Sequence, residues 1–205
     1  MTEKIIISTY KEYLKAHLSK KRYNHSLNVA ESAVELARLY GEDESKAQIA
    51  GLLHDVAKEL PIEKQLEYVL NSTLDVDEVE TKAHALYHAI AGAEIVKNDF
   101  GIDDEDIILA IRYHTVASVD MSRLAAIVYL ADLISADRDY KDVKRMRKLA
   151  ENGLERAMLE ALKFSITDSV MKGNTIPLST LKAYNRFLNE TNIKEKLDNP
   201  KKGAT

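Results

Sequence analysis

The chain has 205 residues, a formal net charge of -4 and no cysteine. Disulfides, thiolate metal sites and cysteine nucleophiles are thereby excluded, and nothing in the charge implies a general nucleic-acid-binding surface. With 45% hydrophobic and 30% charged residues, the composition is that of a folded globular protein with room for one substantial core.

Seven Gly and three Pro leave few breakers, so long helices joined by short turns are expected. The early run Ile5-Ile6-Ile7 is too short for a signal peptide, and no stretch approaches the about 18 apolar residues of a membrane span. These features, with the absent cysteines, predict a cytoplasmic protein with no membrane partner.

In chain order, Ile6, Tyr10, Tyr13, Leu14 and Leu18 follow helical spacing. Leu27, Ala30, Ala33, Val34 and Ala37 form a second stripe, stopped by Gly41 at a C-cap position. Asp43 caps a third helix that Pro61 ends near Leu60, and Pro61 opens a short helix through Leu70. Asn71 to Glu80 reads as an acidic loop. A helix is expected from Ala83 to Phe100, closed by Gly101, and another from Asp103 or Asp104 to Tyr113. Thr115 to Asp120 is a turn. Ser122 to Ile134 is the most apolar helix, and a charged connection follows over 137–142. Val143 to Ala150, Leu154 to Lys172 and Ser179 to Leu188 complete the helices. The expected architecture is one all-α domain over 1–188, of about eight to ten helices, with a polar tail over 189–205.

Chemistry concentrates in a few polar residues on apolar segments. His54-Asp55 lies within Leu52-Leu53-His54-Asp55-Val56-Ala57. Burying both groups costs several kcal/mol, about that of unpaired polar and charged groups, unless something compensates. A divalent metal would use both, since neutral imidazole and ionised carboxylate are metal ligands; a hydrogen-bonded pair ordering a helix junction is the alternative. His25, His88 and His114 stand on or at the ends of other apolar stripes. Singly each reads as a core histidine; together with His54-Asp55 they point to a shared cation. Asp132 sits in Val128-Tyr129-Leu130-Ala131-Asp132-Leu133, where a carboxylate must bind a cation or pair with Arg123 or Arg138. His84 and His88 have two-histidine metal spacing; His84 reads as a pocket or helix-start residue, and His17 as surface.

Taken together, Arg22-Tyr23-Asn24-His25-Ser26, Ala50-Gly51-Leu52-Leu53-His54-Asp55-Val56-Ala57-Lys58, His88-Ala89-Ile90-Ala91-Gly92-Ala93, Ala110-Ile111-Arg112-Tyr113-His114-Thr115 and Ile127-Val128-Tyr129-Leu130-Ala131-Asp132-Leu133-Ile134 resemble the HD-domain phosphohydrolases, and within them the YqeK-type symmetrical diadenosine tetraphosphate hydrolases. The resemblance spans about residues 20–185. It implies an HD-domain helical bundle with a buried dinuclear metal site, with two divalent or mixed-valence ions. Iron is the metal it implies; manganese and zinc also suit nitrogen-rich sites with carboxylates and no sulfur. His25, His54, Asp55 and Asp132 would hold one ion, and Asp55 would bridge to a second held by His88 and His114. A metal-activated hydroxide would then split the dinucleotide into two ADP, with Asp55 and Lys58 as the catalytic groups. Arg22, Lys58 and Thr115 are candidate phosphate-binding residues, with a solvated surface role the alternative for the two basic ones, and Arg138 matches the family's arginine, with pairing to Asp137 or Asp139 as its alternative.

The chain departs from that pattern twice. Thr115-Val116-Ala117 stands where the family carries Thr-Thr-Gly, and Ser135-Ala136-Asp137-Arg138 where it carries Glu-Pro-Asn-Arg. Both departures bear on nucleotide preference rather than on metal binding. The same ligand series would also serve a phosphohydrolase of guanosine tetraphosphate or another nucleotide, or a non-catalytic nucleotide-binding protein of this fold. The implied partner is a small dinucleoside polyphosphate, with no nucleic acid, and the reading allows a homodimer.

Overall fold

A computed structural model describes residues 3–198, with side chains over 4–193. Among the described residues every regular element is helical: α1 (Glu3–His17), α2 (Lys20–Tyr40), α3 (Glu44–Leu53), α4 (Ile62–Asn71), α5 (Tyr87–Asn98), α6 (Glu105–Arg112), α7 (Arg123–Ile134), α8 (Val143–Asn152), α9 (Leu154–Met171) and α10 (Leu178–Asp198). Two short 3-10 turns, Glu80–Lys82 and His84–Leu86, lead into α5. None of the helices is long and apolar enough to cross a membrane.

The caps follow from sequence. Ser19, Asp43, Asp104 and Ser122 each accept a backbone N–H from the first turn of the helix they open. Gly41 ends α2 at φ 71°, a left-handed conformation that costs glycine little. Helices α2, α3, α6 and α7 pack on one another as the centre, α5 lies between α4 and α6, and α8 to α10 close the far side. The central interface is tight: a Cβ added at Gly51 of α3 would lie 2.9 Å from Ala30 Cα of α2.

Three expectations need correction. The third helix ends at Leu53, not near Leu60. The His54 ring Nδ1 lies 2.7 Å from the carbonyl of Gly51, the acceptor the next helical N–H would have used. The chain then continues in tight turns, Val56 N to Leu53 O, Lys58 N to Asp55 O and Leu60 N to Ala57 O. His54 and Asp55 therefore lie at the end of a helix, not within one. The helix expected from Ala83 begins as α-helix only at Tyr87. The last helix runs past Leu188 to Asp198, and Thr191 is buried in it. The rest of the expected polar tail, 199–205, lies outside the described residues.

Candidate active site

The helix ends and faces deliver their polar groups to one point. His25 comes from α2, His54 and Asp55 from the end of α3, His88 from the first turn of α5, His114 from just beyond α6, and Asp132 from the last turns of α7. His25, His54, Asp55, His88 and His114 are all buried.

Asp55 is the centre. Its Oδ2 lies 3.3 Å from His54 Nε2 and 3.9 Å from His25 Nε2. Its Oδ1 lies 3.5 Å from His88 Nε2 and 3.7 Å from His114 Nε2. Two ligand-like groups result, His25–His54–Asp55 and Asp55–His88–His114, sharing one carboxylate. Asp132 Oδ1 adds to the first group, 2.9 Å from His25 Nε2 and 3.9 Å from His54 Nε2.

The ring orientations explain why these nitrogens converge. His54 Nδ1 faces the Gly51 carbonyl at 2.7 Å, and His114 Nδ1 faces the Ile111 carbonyl at 2.6 Å. A carbonyl only accepts, so Nδ1 carries the proton in both rings and Nε2 presents a lone pair inward. His25 uses a carboxylate instead: its Nδ1 lies 2.8 Å from Asp137 Oδ2. His25 Nε2 and His54 Nε2 are buried without an aligned hydrogen-bond partner. Buried orphaned acceptors beside carboxylates are costly unless a cation sits among them. Four imidazoles and two carboxylates, with no sulfur, fit divalent metal ions.

The carboxylates also draw protons onto the rings that face them: burial opposes charge on His54, but Asp55 and Asp132 outweigh it and raise its pKa. Burial works against charge on Asp55, but His54 and His114 overcome it and hold the carboxyl well below its ordinary range. Burial likewise opposes ionisation of Asp132, and His25, His54 and Arg138 outweigh it. Burial first, then the nearby charges of His114 and Lys58, pushes His88 well below the ordinary imidazole value, toward the neutral ligand form.

Of the candidate phosphate-binding residues, each borders the cluster. Arg22 Nη1 lies 2.6 Å from Asp55 Oδ2. Arg138 pairs with Asp132, whose backbone carbonyl also accepts from its Nε at 2.7 Å. Of the two arginines that could pair with Asp132, Arg138 does so, while Arg123 turns away to Glu42 and the Tyr40 carbonyl. Lys58 Nζ lies 3.1 Å from His88 Nε2, and burial lowers its pKa. It arrives there through the turns after α3, not along a continued helix. Thr115 Oγ1 is 3.2 Å from His114 Nε2. His84 is exposed and packs on Tyr87, and His17 is exposed on α1. Asp137 and Asn28 are the site residues that sequence reading missed; Asn28 Nδ2 donates to Asp137 Oδ1 at 3.0 Å. The spacing of Asn28, three residues after His25 on one helix face, was the available signal.

Comparison with known proteins agrees with this geometry. The HD domain family model matches residues 22–137, which encloses His25 to Asp137. A protein of Halalkalibacterium halodurans named symmetrical bis(5'-nucleosyl)-tetraphosphatase is 36% identical over 87% of this chain and 95% of its own length. One of Bacillus subtilis with the same name is 34% identical over 84% and 92%. A crystal structure from Clostridium acetobutylicum, described as a predicted HD superfamily hydrolase involved in NAD metabolism, superposes with a TM-score of 0.85 at 39% identity, covering 89% of this chain and 97% of that one. The chain belongs to the HD-domain family, alongside relatives that carry the name symmetrical bis(5'-nucleosyl)-tetraphosphatase.

Proposed function

We propose that this protein hydrolyses bis(5'-nucleosyl)-tetraphosphates symmetrically, diadenosine tetraphosphate to two ADP, with two metal ions at the Asp55 cluster. The observation that carries the reading is the division of Asp55, one oxygen toward His25 and His54 and the other toward His88 and His114. The relatives' names supply the substrate class. His25, His54, Asp55 and Asp132 would hold one ion, and Asp55, His88 and His114 the other. Iron is the proposed native metal, with manganese and zinc compatible with the same donors. Such ions supply charge neutralisation at phosphate oxygens and a lowered pKa for water.

The remaining work falls to the chain's own side chains. Arg22 and Arg138 are partly exposed, at 28% and 37% of their side chains, and sit at the rim on the two carboxylates. A polyphosphate approaching from that side meets both guanidiniums, whose planar donors suit phosphate oxygens. Lys58, deeper against His88, and the Thr115 hydroxyl, beside His114, offer further donors to the same phosphates. Cleavage of the central P–O–P linkage adds water across it, so each half leaves as a nucleoside diphosphate. All of these groups belong to a single chain, in a protein we place in the cytoplasm.

The test is product analysis with diadenosine tetraphosphate after loading the protein with Fe(II) or Mn(II). Two ADP is the expected outcome. ATP plus AMP rejects symmetrical cleavage, and turnover of guanosine tetraphosphate in its place moves the protein to another HD phosphohydrolase activity.

A further inference from the structure

Three of the four inward-facing histidines have Nδ1 held by an acceptor, but they differ in what holds it. His54 and His114 use carbonyls of their own preceding turns, Gly51 and Ile111. His25 depends on a side chain from a distant segment, Asp137 Oδ2 at 2.8 Å. The His25 ring is nearly sealed, at 5% side-chain exposure, while Asp137 reaches the surface at 37%.

Asp137 is itself held. Asn28, one turn after His25 on α2, donates to its other oxygen at 3.0 Å. The connection that carries it is clamped by Arg147 of α8, which donates to the carbonyls of Ile134 at 2.8 Å, Ser135 at 2.7 Å and Arg138 at 3.1 Å. A tight turn closes within it, Arg138 N to Ser135 O at 3.0 Å. Three carbonyls fixed by one guanidinium leave the 134–138 segment little freedom, so the carboxylate is aimed before any ligand arrives.

We propose that Asp137 is a positioning residue: it accepts the Nδ1–H of His25 and turns the ring so that Nε2 faces the space bordered by Asp55 and Asp132, where it would ligate a cation. The chemistry is that of a carboxylate–histidine–metal triad, in which the outer acceptor orients the ring and raises the basicity of the inner nitrogen. Without an acceptor at Nδ1 the ring is free to carry its proton on Nε2, where it cannot ligate. An asparagine carbonyl at this position could accept the same proton, so D137N removes the negative charge and keeps the acceptor.

The inference rests on the metal reading only for its second readout. The first is nitrogen-15 NMR of labelled histidines in metal-free protein at mildly alkaline pH. Wild type is expected to show His25 protonated at Nδ1, D137N to keep that pattern, and D137A to lose it while His54 and His114 keep theirs. A wild-type His25 with no proton on Nδ1, or a D137A variant with the wild-type pattern, overturns the proposal whether or not metal binds. The second readout is Mn(II) affinity by calorimetry. D137A should bind about 10- to 100-fold more weakly, the usual cost of losing such an outer partner, and D137N within about threefold of wild type. Equal affinity in D137A and wild type also overturns it.

Discussion

Arg22 Nη1 lies 2.6 Å from Asp55 Oδ2, the oxygen that also faces His25 and His54. The guanidinium therefore supplies positive charge where a cation would sit, and under the proposed function a metal bound there would free it for phosphate. Arg22→Ala should leave metal content unchanged and lower kcat/KM for diadenosine tetraphosphate about tenfold to a hundredfold, the loss of one charged hydrogen bond of about 1.5–3 kcal/mol. Elemental analysis beside steady-state kinetics checks both halves. Unchanged kcat/KM would leave Arg22 a neutralising partner of Asp55 alone.

Asp55→Ala removes the carboxylate shared by both ligand groups. The expected result is loss of both bound metal and hydrolysis, and His54→Ala should behave alike. His17→Ala should change neither, since that ring is exposed and bonded to its own helix at the Tyr13 carbonyl. Normal turnover by the Asp55 variant contradicts a two-metal mechanism.

The sequence made the helical stripes and most of the cluster legible for the same reason. An isolated polar group on an apolar face is expensive, so His25, His88, His114 and Asp132 stand out against their neighbours. Where polarity is common that contrast vanishes. Asp137 lies in the charged run 137–142, in which nothing marks one carboxylate from another. The end of α3 was hidden differently: the turns after Leu53 bury Val56 and Ala57 as a helix would, so the apolar pattern runs on after the helix has stopped. His84 and His88 keep the spacing of one helix face, yet the 3-10 turn at 84–86 breaks that face and leaves His84 exposed.

Gly51 couples packing to the site. Its added Cβ would meet Ala30 Cα at 2.9 Å and Val29 O at 3.1 Å, backbone atoms that cannot rotate away. Its carbonyl is also the acceptor that orients His54. Gly51→Ala should destabilise the metal-free fold by about 1–3 kcal/mol, the usual cost of overpacking. It should also weaken Mn(II) binding, because α3 must shift away from α2. Urea unfolding and metal titration together separate these effects; a variant as stable as wild type shows that α2 and α3 yield without cost.

Arg112 and Glu80 form a sealed ion pair at 2.7 Å, and Arg112 also donates to the Asp75 carbonyl at 2.7 Å. Both are buried, and the pair ties the 72–86 segment to α6. Glu80→Ala strands a buried guanidinium, and about 3–5 kcal/mol of destabilisation is expected. Hydrogen exchange should show the 72–86 segment opening first. A small change in urea midpoint would mean that water reaches Arg112 once the carboxylate is gone.

Tyr68 of α4 donates to Asp99 Oδ2 at 3.0 Å, beyond the end of α5. Burial first, and then Asp99, pushes its phenol up to about 12 from an ordinary 10.0. Between those values the folded chain holds a proton that the unfolded chain has released, so stability must fall as pH rises through the interval. The contribution is complete below the unfolded value and is lost on approaching the folded one. Phenylalanine at this position cannot ionise and forms no such bond. Tyr68→Phe should therefore be less stable than wild type at neutral pH, and the gap should close through the alkaline range. Urea midpoints measured in parallel across that range decide it; a gap constant with pH would mean the phenol loses no more by ionising in the fold than in the unfolded chain.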